Sequence, residues 1–278
     1  MAEIDLFYAV GRVRALETRI LSREDIERLC ESPNRDKALS DTGYGAGAEG
    51  ETFDALIRQE LSLTRQEISY LLPADAAAVL LLPYDAHNLK VYLKQCVAAA
   101  RAGRRPETAA AETAALIYQN TVYDPEIVAA CARAGEFSLL SDTVAGILNP
   151  LYDEGKLNTP LTISAACDYA FARETAGKLA SQPSLIRDAF RMKRDFENLL
   201  CLLRAGEIGL PADTVRTMLL PGGEIPSEKW LSLYGKKPEE TVSALEGTAV
   251  HDGAAAALLS PDPSAGAAKE IFEAAVLS

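Results

Sequence analysis

With 278 residues the chain exceeds the size at which a single core is usual, so several small helical units or one extended repeat array are expected. Hydrophobic residues make up 48% of it, charged residues 24% and aromatics 6%, a composition able to bury a core and unlike that of a disordered chain. A formal net charge of −12 opposes nucleic acid and anionic lipid as major partners, because phosphate binding relies on lysine and arginine, and it leaves proteins as the expected partners.

In chain order, the opening segment through Glu17 carries charges among its apolar positions and so lacks the uninterrupted apolar core of a signal peptide. No later apolar run approaches the length of a bilayer span, so a cytoplasmic protein is expected. Apolar residues recur at helical spacing, as in Ala9, Val13, Leu16 and Ile20, or Leu89, Tyr92, Leu93, Cys96 and Val97. Strand-like alternation is hard to find, and the expected fold class is all-α. The pattern predicts helices near 3–21, 23–31, 51–72, 84–102, 107–119, 125–134, 138–152, 160–180 and 184–205, with shorter ones following. Ser22, three residues before Asp25, reads as a capping box, and Thr159 before Pro160 as an N-cap followed by the first helical position. Chain breaks are expected at 43–47, at Pro83, at 103–106, at 206–211 and at 221–226. From Gly247 to Ser278 the chain is rich in alanine, with Pro261 and Pro263, and only a weak final helix is expected there.

Compared with itself, the chain shows a repeat. Asp85-x-x-Asn88-Leu89-x-x-x-Leu93-Lys94 matches Asp195-x-x-Asn198-Leu199-x-x-x-Leu203-Arg204, each copy following a long helical segment, so a duplicated helical hairpin is expected. Asn88, Leu89, Tyr92 and Leu93 fall on one helical stripe, as do Asn198, Leu199, Leu202 and Leu203. An asparagine at the edge of such a packed face suits a loop carbonyl or a helix end, while Lys94 or Arg204 suits a carboxylate or a helix C-terminus. The whole pattern reads as packing rather than chemistry.

Reactive constellations are sparse. Two histidines, His87 and His251, give little material for a metal site or a histidine-dependent triad, and His87 beside Asp85 reads as a hydrogen-bonded surface residue. The glycine-rich stretch from Gly43 to Gly50 has no preceding strand and no following lysine, so it reads as an interhelical turn rather than a phosphate loop. Pro221-Gly222-Gly223 reads as a tight turn. Paired carboxylates such as Asp36 with Asp41, or Glu239 with Glu240, sit in polar stretches and suit solvated faces. Five widely spaced cysteines, Cys30, Cys96, Cys131, Cys167 and Cys201, form no C-x-x-C pair and read as buried thiols. No catalytic residue, cofactor or metal is expected.

Several anchors nevertheless share an order with a known family. Phe7-Tyr8-Ala9-Val10-Gly11-Arg12-Val13-Arg14-Ala15-Leu16-Glu17, the segment from Leu21 to Leu29, Asp41-Thr42-Gly43-Tyr44, Pro83-Tyr84-Asp85-x-x-Asn88, and the Asp195-x-x-Asn198 helix leading to Pro221-Gly222-Gly223 resemble the C subunit of V/A-type ATPases, a family shared with the eukaryotic d subunit. The resemblance implies an all-helical protein of three related units around a pseudo-threefold axis in a funnel shape. It implies a non-catalytic rotor subunit of a prokaryotic complex, peripheral on the cytoplasmic face of the cell membrane. Its partners would be the central-shaft subunits and the proteolipid ring, coupled for ATP-linked proton or sodium transport. The signature residues it marks are Tyr8, Arg12, Arg14, Glu17, Tyr84, Asp85, Asn88, Lys94, Asp195, Asn198, Arg204, Gly222 and Gly223. The expected units are 1–105, 106–210 and a divergent or truncated third at 211–278, since no third signature helix is found after Gly247. The alternatives are a helical repeat scaffold unrelated to rotary motors, and an all-α enzyme, which would need aspartates or histidines clustered on one cavity.

Overall fold

The computed structural model describes residues 6–32, 42, 44, 53–104 and 113–259. Among these, regular structure is α-helical throughout, in twelve helices. The first three are α1 (Leu6–Glu17), α2 (Arg23–Glu31) and α3 (Phe53–Leu71). They are followed by α4 (Ala74–Arg101), α5 (Pro125–Ala134), α6 (Asp142–Asp153), α7 (Pro160–Leu179) and α8 (Ser184–Glu207). Four short ones end the set: α9 (Ala212–Met218), α10 (Ser227–Leu233), α11 (Pro238–Ala244) and α12 (His251–Leu258). Apart from Tyr44, the 43–50 turn lies outside the described residues, as do the Asp36 and Asp41 pair and the tail from residue 260.

The ends of the helices follow local chemistry. Ser22 accepts from the Asp25 amide while the Asp25 carboxylate accepts from the Ser22 amide, which satisfies two otherwise orphaned donors. Thr159 and Thr162 do the same before Pro160. Gly135 ends α5 at φ 69°, a left-handed cap, and its amide donates to the Cys131 carbonyl.

Two consecutive helix pairs carry the repeated pattern, α3 followed by α4 and α7 followed by α8; α4 packs most closely on α7, while α7 and α8 diverge around a cleft. The second helices of both pairs start in the same way, from a proline N-cap at φ −54°, ψ 145° (Pro73) and φ −54°, ψ 150° (Pro183). Asp85 lies as far beyond Pro73 as Asp195 lies beyond Pro183, so the duplicated pattern occupies the same turn of both helices.

The expected break at Pro83 does not occur. Helix α4 runs through it, because Val79, Leu82, Ala86, Leu89 and Leu93 form one buried stripe on both sides of the proline, and that burial outweighs one lost helical hydrogen bond. The predicted 107–119 helix is also corrected: in its described part the helix has ended by Ala114, and residues 115–123 form a loop bound by side chains of α3 and α4.

Two cores result. One joins α4, α5, α6 and α7 through Leu82, Leu89, Val128, Phe137, Leu148, Ile163 and Phe171. The other joins α8 to α12 through Phe196, Leu199, Val215, Trp230, Leu245 and Leu258. At roughly 1.5–3 kcal/mol for each large aliphatic or aromatic side chain, these contacts dominate the folding drive. The stretch after Gly247, expected to be weakly ordered, contributes buried Val250, Ala254, Ala257 and Leu258 to the second core. Helix α1 departs the other way: of its expected stripe only Ala9 is buried, and Val13 and Ile20 are exposed. It is held to α3 by polar contacts instead.

Candidate functional site

The duplicated motif builds two matching clasps. In the first, Asn88 Nδ2 donates to the Tyr118 carbonyl at 2.9 Å and Asn88 Oδ1 accepts from the Tyr118 amide at 2.9 Å. One turn earlier in α4, Asp85 accepts from the amides of Val122 at 3.0 Å and Tyr123 at 3.2 Å. In the second, Asn198 Nδ2 donates to the Leu220 carbonyl at 2.9 Å and Oδ1 accepts from the Leu220 amide at 2.8 Å. Asp195 accepts from the amides of Glu224 at 2.7 Å and Ile225 at 3.1 Å, and from Trp230 Nε1 at 3.3 Å. Each asparagine thus caps one residue's backbone in both directions, and each aspartate gathers the amides that follow.

The bound loops share a register. Tyr118 corresponds to Leu220, so Asn120 corresponds to Gly222 and Thr121 to Gly223. Asn120 and Gly222 are both left-handed, at φ 58° and φ 95°. Asparagine and glycine are the residues that reach this region most readily. Gly223 has a second constraint: a Cβ there would stand 2.0 Å from Asp195 Oδ1. At the first clasp Thr121 fits because its hydroxyl turns to the Tyr123 carbonyl at 2.9 Å.

Both aspartates and both asparagines are buried. Desolvation pushes Asp85 up to about 6, with the Tyr123 and Val122 amides and Thr121 pulling the other way. Asp195 is raised for the same leading reason, opposed by the Glu224 and Ile225 amides and Trp230. These carboxylates are committed to backbone amides, so the arrangement fixes loops on helices. Among the described residues no three of His, Cys, Asp and Glu converge as a metal-ligand set. The described cysteines are free; Cys131 and Cys167 are buried as expected, whereas Cys30 is exposed. Burial drives the Cys167 thiol up to about 12 and Cys201 up to about 11, which keeps both protonated and unreactive.

The other signature residues lie apart. Tyr8 meets the Tyr70 ring edge-on at 6.2 Å, and Arg12 Nε donates to Glu67 at 3.1 Å, which joins α1 to α3. Arg14 pairs with Glu17 on α1 itself at 2.7 Å. Tyr84 packs edge-on to Tyr118 at 5.1 Å, beside the first clasp. Lys94 lines a hollow where α4 meets Pro160 and Ile163, and Arg204 faces a cleft of about 390 Å³ between the α4–α7 pair and α8. Of the two partners expected from sequence, a carboxylate or a helix C-terminus, neither side chain has the first among the described residues, and Arg204 lies in the last turn of α8. In that cleft Lys90 pairs with Asp168 at 2.6 Å and Arg194 with Glu197 at 2.8 Å, which takes up the nearby carboxylates.

Arg65 was not singled out from sequence. It is buried between Tyr84 and Tyr118, with the guanidinium carbon 5.0 and 4.9 Å from the two ring centroids, and its Nε donates to the Gln119 carbonyl at 2.8 Å. A lone arginine in the polar-looking stretch from Ser62 to Glu67 carries no signal of this. Tyr84 of α4 and the loop carrying Tyr118 together bury it.

Fold and clasps define an all-α protein in which two long helices bearing the same Asp-x-x-Asn pattern each capture the loop that follows. The chain belongs to the ATP synthase (C/AC39) subunit family, whose model matches residues 9–276. No curated protein matches the chain. No helix among the described residues is long and apolar enough to cross a membrane.

Proposed function

We propose that the chain is a non-catalytic coupling subunit in the rotor of a prokaryotic V/A-type ATPase. It sits on the cytoplasmic face of the proteolipid ring, receives the central shaft, and passes torque between them for proton or sodium transport. Three related helical units arranged as a funnel would provide the seat. The observation that carries the reading is the doubled clasp in a chain of this family: buried Asp85, Asn88, Asp195 and Asn198 pin two loops to two long helices, which favours the stiffness a torque-bearing connector needs. The signature residues serve this stiffness rather than any reaction.

The test is reconstitution of the complex with and without this chain. ATP hydrolysis is expected to persist without it, while ATP-driven ion pumping into vesicles is lost and returns when the purified chain is added back. Unimpaired pumping in its absence would overturn the reading.

A further inference from the structure

Beside the first clasp, α3, α4 and the 115–119 loop enclose a groove of about 540 Å³ with a cationic floor and an apolar rim. Arg58 Nη1 donates to the Ala115 carbonyl at 3.2 Å, His87 Nε2 to the Leu116 carbonyl at 3.0 Å, and Arg65 Nε to the Gln119 carbonyl at 2.8 Å. Only 3% of Arg65 is exposed, and its Nη1 is buried with no hydrogen-bond partner. The flanking tyrosine rings offset part of the charge, but a ring face is a poor acceptor for a guanidinium N–H. Among the described residues no carboxylate pairs with Arg58, Arg65 or His87, and Asp54 is the only acid among the described lining residues. A buried cation without a counter-ion is costly, and a planar fork of donors matches a carboxylate. Exposed Ile57, Leu61 and Leu116 edge the opening.

We propose that this groove receives an acidic segment of a protein partner, a carboxylate flanked by aliphatic side chains, with the carboxylate drawn to Arg65 and Arg58 and the aliphatic groups laid on Ile57, Leu61 and Leu116. The charge complementarity selects this occupant over a wholly apolar one. The inference goes beyond the coupling reading and does not depend on it, because the groove belongs to the first hairpin alone.

The test follows the Arg65 Nε–Hε resonance of the full chain by NMR during titration with acetyl-Leu-Glu-Leu-amide, its Leu-Gln-Leu counterpart, inorganic phosphate and sodium chloride at matched ionic strength. The glutamate peptide is expected to give a saturable shift. The glutamine peptide should bind at least tenfold more weakly, Arg58→Gln should weaken binding several-fold, and Arg65→Lys should abolish it. Arg58 is exposed, so that variant and the peptide pair on the unaltered chain decide the matter even if Arg65→Lys does not fold. No saturable shift, an equal response to the glutamine peptide, or the same shift with phosphate or chloride would overturn the proposal.

Discussion

Asn88 and Asn198 each use both ends of the amide on one backbone unit, so truncation leaves a buried amide and a buried carbonyl unmatched. Asn88→Ala and Asn198→Ala are each expected to cost about 1–3 kcal/mol in urea unfolding. Costs below about 0.5 kcal/mol, the range of plain surface changes, would mean the clasps are not closed in solution. Asp85 gives a pH signature. Its folded value near 6 stands above the ordinary carboxylate value of 3.8, so between them the native chain holds a proton that the unfolded chain does not. Its contribution is therefore fully present below the unfolded value and is lost as pH rises through 6, a difference of roughly 2–3 kcal/mol. Unfolding midpoints at pH 5 and pH 7 should favour the acid side in the unaltered chain, with a visibly smaller difference in Asp85→Asn. Asp195 is raised for the same leading reason and acts in the same direction, whereas His87, lowered by burial, acts in the opposite one. Sequence comparison reaches these four residues, because spacing is written in the chain. It does not reach their targets, because a backbone amide has no identity and the bound loops sit at different distances along the chain.

Among the elements, the bound loops show why one position is glycine for space and its neighbour for conformation. Gly223→Ala places a methyl group against Asp195 and is expected to cost about 2 kcal/mol, typical of overpacking. Gly222 is constrained by φ, and its Cβ would meet only Ala176 at 3.3 Å, so Gly222→Asn, the residue found at the matching place in the first loop, should be milder than Gly222→Val. Thermal unfolding of the three variants tests that order. Helix positions such as 125–134 and 160–180 were legible because caps and apolar spacing agree there. The 107–119 segment misled because Ala114, Leu116 and Ile117 mimic a helical stripe, while what holds the loop is Arg58, Arg65, His87 and Asn88 from elsewhere. Pro83 misled in the opposite way, since a local breaker was overruled by burial on either side of it.

For the whole molecule, calorimetry with Mg-ATP at high protein concentration is expected to show no saturable binding in the micromolar range, because the one glycine-rich stretch lacks the lysine of a phosphate loop. Hydrogen exchange across 250–258 is expected to be slow, matching the burial of Val250, Ala254 and Leu258 rather than the weak order that an alanine-rich sequence suggests. The two cores have one more consequence, which concerns time rather than shape. Each clasp joins a helix to the loop just after it, Asn88 to Tyr118 and Asn198 to Leu220, and neither requires chain from the other end of the protein. Contacts so near in sequence close quickly and need no distant partner to have been synthesised. Each clasp is thus able to close once its own loop has been synthesised, whereas the core around α4 waits for α7 to emerge.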